Sequence, residues 1–159
     1  MEGKHLTFAL GNEGYGIPIH QVKEIIGMME ITSIPKTPPF IKGIINLRGK
    51  IVPIIDLRVK FGLPEREYTE RTCIIVIEIN PASGKRTIGV VVDTVSEVIN
   101  IQAGDIETDL RNESVIDGKF MTGIAKLKNK VVVLLEVDYL MVPDELTPLQ
   151  DGEGESNNV

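Results

Sequence analysis

The chain has 159 residues, no Trp, a single Cys, and 17 basic against 23 acidic side chains for a net charge of −6. That length is enough for a core that buries roughly 70% of the surface exposed by the unfolded chain. The acidic balance, with only three Tyr and four Phe, argues against the basic face and stacking aromatics of a nucleic-acid binder. No apolar run approaches the ~20 residues that cross a bilayer, so direct membrane insertion is not expected. Cys73 alone cannot form an intrachain disulfide, which fits a reducing cytoplasm.

From the N-terminus, MEGKHLTFAL lacks a long apolar leader segment, and HLTFAL (5–10) alternates as a strand does. GNEG turns the chain into YGIPI (15–19), and HQVKEII reads as a short turn followed by a strand. IINLRG and KIVPII form a hairpin around Arg48 and Gly49, and DLRVKF (56–61) is a short helical stretch. The polar GLPEREYTER (62–71) is a connector. TCIIVIEI (72–79), the loop NPASGKR and TIGVVVD (87–93) make a β-branched hairpin, followed by the alternating SEVINI. KFMTGIAKL (119–127) and KVVVLLEV (130–137) pair next, and DYLMV (138–142) is again helical. The tail from Asp151 to Val159 carries three acids and no base, and is expected to be disordered.

The chain also repeats itself. GIPIHQVKEII (16–26) matches GVVVDTVSEVI (89–99) at an offset of 73, aligning Gly16 with Gly89 and Glu24 with Glu97. GIINLRGKIVPIIDL (43–57) matches GIAKLKNKVVVLLEV (123–137) at an offset of 80, aligning Gly43 with Gly123 and Arg48 with Lys128. Two blocks in the same order indicate an internal duplication. The expected fold is mainly β: two small five-stranded barrels packed side by side, since five short strands suit closure better than an open sheet. The expected boundaries are 5–61 for the first barrel, 62–71 for the connector, 72–141 for the second barrel and 142–159 for the C-terminal segment.

No arrangement of residues suggests catalysis. His5 and His20 lie in separate strand-like segments with no second metal ligand or nucleophile at a recognised spacing. GKRT (84–87) lacks the upstream glycine of a phosphate loop. Glu24, Asp56, Glu97 and Glu136 sit at strand positions without a spacing that assigns acid and base roles. No enzyme, cofactor or metal is expected.

The stretch TPPFIKGIINLRGKIVPIIDLRVKFG (37–62), with YGIPIHQVKEI before it and IGVVVDTVSEVI after it, resembles the CheW family of bacterial chemotaxis coupling proteins. The resemblance runs in order from about residue 6 to residue 141. It implies two SH3-like barrels and a cytoplasmic adaptor recruited to membrane-associated receptor arrays. Its implied partners are the regulatory domain of the chemotaxis histidine kinase CheA and the cytoplasmic tips of methyl-accepting chemoreceptors. Receptor contact in the family falls around the groove between the barrels, and the matching positions here are Val22, Glu24, Ile25, Lys42, Asn46, Arg48, Val95 and Val98. Periodicity alone would place Val22, Ile25, Val95 and Val98 in the core. The other reading is a different SH3-like scaffold or regulatory binding module. The recurrence of an acid and a base in both copies predicts an ion pair between Glu24 and Arg48.

Overall fold

The computed structural model describes residues 2–108 and 120–141. In chain order it contains β1 (Gly3–Leu10), β2 (Glu13–Pro18), β3 (Val22–Gly27), β4 (Ile41–Leu47), β5 (Lys50–Asp56), α1 (Leu57–Lys60), β6 (Cys73–Ile79), β7 (Arg86–Val92), β8 (Thr94–Ile101), β9 (Ile106–Glu107), β10 (Met121–Leu127) and β11 (Lys130–Leu135). The expected turn before β3 is a 3-10 turn over Ile19–Gln21, and DYLMV contributes to a second over Val137–Tyr139. Val142 and the acidic tail lie outside the described residues. Among the described residues no helix is long and apolar enough to cross a membrane.

The strands form a five-stranded sheet in the order β3-β6-β7-β5-β4 and a six-stranded sheet in the order β8-β1-β2-β11-β10-β9. The sixth strand is the two-residue β9, which pairs with β10 much as an isolated bridge from Thr32 to Ile44 pairs with β4. The duplication holds at the level of single hydrogen bonds. β5 runs parallel to β7 with Ile54 opposite Gly89, and β11 runs parallel to β2 with Leu134 opposite Gly16. The Asp56 N–H donates to the Phe40 carbonyl at 2.8 Å and the Glu136 N–H to the Phe120 carbonyl at 2.8 Å.

The sheets do not follow the expected boundaries, however. Hairpin β1–β2 joins strands of the second copy, while β6–β7 joins strands of the first. The copies 5–61 and 72–141 are therefore units of sequence, and each sheet is assembled from both. The cause is the parallel pairing: β11 completes its ladder on β2, and β5 on β7, so each first hairpin is drawn into the opposite sheet.

Alternation along the strands explains the packing. In β6, Ile74 and Val76 point into the five-stranded barrel while Ile75, Ile77 and Ile79 point out of it, and all five are buried. The outward set meets Leu6, Phe8 and Leu10 of β1 and Tyr15 and Ile17 of β2 in one core between the sheets. A separate cluster of Ile101, Ala125, Val132 and Leu134 fills the other barrel. Strands buried on both faces read as unbroken apolar runs, which accounts for CIIVIEI. Gly89 leaves room for its neighbours, because a Cβ there would lie 2.6 Å from Ile54 Cδ1 and 2.8 Å from Ile74 Cγ2.

Candidate functional site

Strands β4 and β5 meet in a two-residue turn with Leu47 opposite Lys50. Arg48 and Gly49 adopt φ of 51° and 87°, the left-handed pair that matches the twist of a hairpin. Glycine takes that conformation freely, whereas an arginine there is unusual. Asn46 secures the turn by accepting the Gly49 N–H at 2.8 Å. Arg48 reaches Glu24 of β3 with both ends of its guanidinium, donating from Nη1 to Oε1 at 3.2 Å and from Nη2 to Oε2. The hydrogen bonding from Arg48 leads the effects that hold the Glu24 carboxyl below its usual pKa, and the same contact raises that of Arg48. The predicted ion pair is present. It bridges strands that are not neighbours in the sheet, and it borders a cavity of about 190 Å³ lined in part by Lys23, Leu47 and Val52.

The second copy keeps the theme but changes the partner. Glu97 of β8 is met at 3.5 Å by the ammonium of Lys130, the first residue of β11, rather than by Lys128 in the turn. Among the described residues only Lys36 and Arg48 are non-glycine residues with positive φ, so the turn at Lys128 is built differently.

The remaining candidates separate into three groups. Val22 and Val95 are half-buried and pack on the core between the sheets, as periodicity expects. Ile25 and Val98, which occupy equivalent places in the two copies, are instead 46% and 50% exposed. Lys42 lies at the far end of β4 from Arg48 and pairs with Glu65 of the connector at 3.6 Å. Glu24, Asn46 and Arg48 are thus brought together, and Lys42 is apart from them. Sequence reasoning missed Ile51 and Val131, a second equivalent pair of aliphatic side chains, exposed by 55% and 54%. The repeat alignment could have paired them, but strand periodicity carries no sign of which face meets solvent.

A buried junction was also missed. Arg58 of α1 donates from Nε to Asp93 Oδ1 at 2.9 Å, from Nη2 to Asp93 Oδ2 at 2.6 Å and from Nη1 to the Pro64 carbonyl at 3.0 Å. Asp93 sits where the chain passes from β7 to β8, from one sheet into the other, and also accepts the Gly11 N–H at 2.7 Å. The hydrogen bond from Arg58 leads the effects that lower the Asp93 pKa. Asp56 caps α1 by accepting the Arg58 and Val59 N–H groups, and its second oxygen accepts the Tyr68 hydroxyl at 3.2 Å.

The CheW-like domain model matches residues 4–144. The chemotaxis protein CheW of Klebsiella aerogenes is 42% identical over 141 residues, covering 89% of this chain and 82% of the relative. That of Helicobacter pylori is 34% identical over 140 residues, covering 87% and 81%. Among solved structures, the scaffolding protein TtCheW from Thermoanaerobacter tengcongensis superposes with a TM-score of 0.80 at 39% identity, covering 91% of this chain and 96% of that one. With strand pairing, duplication and motifs all in agreement, the chain belongs to the CheW family of chemotaxis scaffolds.

Proposed function

We propose that this chain is a non-catalytic cytoplasmic adaptor that couples methyl-accepting chemoreceptors to the histidine kinase CheA at membrane-associated arrays. The observation that carries the reading is the repetition of exposed aliphatic side chains at equivalent places in both barrels, Ile25 with Val98 and Ile51 with Val131. A scaffold that joins two proteins needs more than one apolar patch able to exclude water, each with charges nearby to set register. Glu24 and Arg48 supply such charges beside β3, and Glu97 and Lys130 beside β8. Co-sedimentation with receptor-containing membranes, with CheA, and with both tests the proposal: the adaptor pellets with receptor membranes and increases the CheA in the pellet. Failure to bind either partner would overturn it.

Replacing Ile25 or Val98 by Asp should lower the affinity for one partner by ~tenfold or more while leaving the other within a factor of two, as expected for side chains on different patches. Stability should change by no more than about 0.5 kcal/mol, because both side chains are half in solvent. Equal loss of both partners by either variant would argue against separate patches.

The pair at the turn should act on orientation. Arg48→Glu puts two carboxylates opposite each other and should reduce receptor coupling by ~tenfold or more with little change in melting temperature, since exposed pairs add little to stability. The double exchange Glu24→Arg with Arg48→Glu should regain part of the loss. Receptor pull-down of the three variants reads this directly, and a double exchange no better than either single change would assign Arg48 a direct contact instead.

A further inference from the structure

The two crossings between the sheets are equivalent by the duplication, yet they are built with opposite chemistry. At the first, Asp93 is met by the Arg58 guanidinium. At the second, the place of Asp93 is taken by His20 and the place of Arg58 by Asp138. Asp138 Oδ1 accepts the Gln21 side-chain amide at 3.0 Å and the Asn80 N–H at 2.7 Å, so neutral donors meet it where a guanidinium meets Asp93. Beside it is a cavity of about 470 Å³ lined by residues including His5, His20, Gln21, Glu136 and Asp138.

The groups facing this cavity are rich in acceptors. Glu136 is the counterpart of Asp56 and, like it, stands immediately before a short helical turn. His5 is only 3% exposed, and its Nδ1 lies 3.0 Å from the Gly3 carbonyl. That contact places the proton on Nδ1 and leaves Nε2 an acceptor. Glu78 and Lys85, also on the wall, lie 4.0 Å apart and answer each other.

We propose that this cavity binds a small organic cation, a guanidinium or primary ammonium head on a short alkyl body, which supplies at the second crossing the charge that Arg58 supplies at the first. Leu135 and Pro18 on the wall suit the alkyl part. A metal ion is the poorer fit, since among the described residues no three His, Cys, Asp or Glu side chains are grouped to hold one. Burial, and after it the neighbouring charge of Asp138, raise the Glu136 pKa. The inference does not depend on the adaptor reading, because it concerns a cavity away from the Glu24–Arg48 turn.

The test is a titration of the full chain followed by the imidazole signals of His5 and His20 in proton–carbon correlation spectra, at constant ionic strength. Ethylguanidinium and n-butylammonium chloride should give saturable shifts. Tetramethylammonium, with the same charge and no N–H donor, should give none. Glu136→Gln should weaken ethylguanidinium binding at least tenfold, and Lys85→Ala, offered in case the first variant is unstable, should tighten it severalfold. Comparison with acetyl-Gly-Arg-Gly-amide identifies the source: tighter binding of ethylguanidinium supports a free cation, and tighter binding of the peptide supports the side chain of a partner protein. Equal, linear shifts with all three salts, or unchanged affinity in both variants, would overturn the proposal.

Discussion

Arg58→Ala is expected to destabilise the fold by about 3 kcal/mol, near the lower end of what breaking a buried ion pair costs. The side chains of Arg58 and Asp93 are 9% and 21% exposed, so removing the guanidinium leaves a carboxylate largely shielded from water and the Pro64 carbonyl without its donor. The value is not larger because Arg66, 3.4 Å from Asp93 and largely exposed, supplies some compensation. Urea unfolding of Arg58→Ala measures the loss, and the paired replacement Arg58→Met with Asp93→Asn should recover part of it because no charge is left unpaired.

The pH dependence carries the same signature. The Asp93 pKa is depressed in the folded state, so its contribution is fully present above the ordinary aspartate value of about 4 and is lost as the pH falls through the lower folded value. Asp93→Asn should remove that acid-side loss. In Arg58→Ala it should shrink or reverse, since protonating an unpaired Asp93 then relieves a buried charge. An unchanged slope in both variants would show that this pair does not govern acid stability.

Gly43→Ala is expected to cost ~3 kcal/mol or more, a drop in melting temperature of roughly 6–12 °C for a chain of this size. At φ +142° any Cβ is strained, and here it would lie 2.0 Å from the Thr32 carbonyl oxygen, a backbone atom that cannot rotate away. Relief would require separating Thr32 from Ile44, whose two N–H to carbonyl bonds of 2.9 Å draw the segment after β3 onto β4. Gly123, the counterpart in the second copy, has no positive φ and its nearest contact is 3.0 Å, so Gly123→Ala should cost less. Gly27→Ala meets nothing within 4 Å and should stay within about 0.5 kcal/mol. Thermal melts of the three variants would refute the argument if their order were otherwise.

The hairpins were legible because β-branched residues alternate between turns, and the duplication because Gly16, Gly89, Gly43 and Gly123 recur where strands pack too closely for side chains. The Glu24–Arg48 contact was legible through the repeat, since a matched acid and base marked the place. Its counterpart moved from Lys128 to Lys130 because side-chain direction follows turn conformation, which charge type does not encode. The exchange of hairpins was hidden for a related reason: the alternation of HLTFAL and the unbroken apolar run CIIVIEI suit either sheet, and local pattern does not name a partner strand. Arg58 and Asp93 are 35 residues apart and became a pair only through that exchange.

The exchanged hairpins also bear on how the chain can fold and on how it could have arisen. During synthesis β1 and β2 emerge first, yet the strands that flank them in the finished sheet, β8 and β11, emerge among the last. Neither half holds a complete barrel, so cutting at the connector should release two fragments that gain their structure only on recombining, and heating the intact chain should melt both barrels in one step. The topology is that of a domain-swapped homodimer whose two subunits have been joined by a linker, with the mutual embrace of the ancestral protomers preserved inside a single polypeptide.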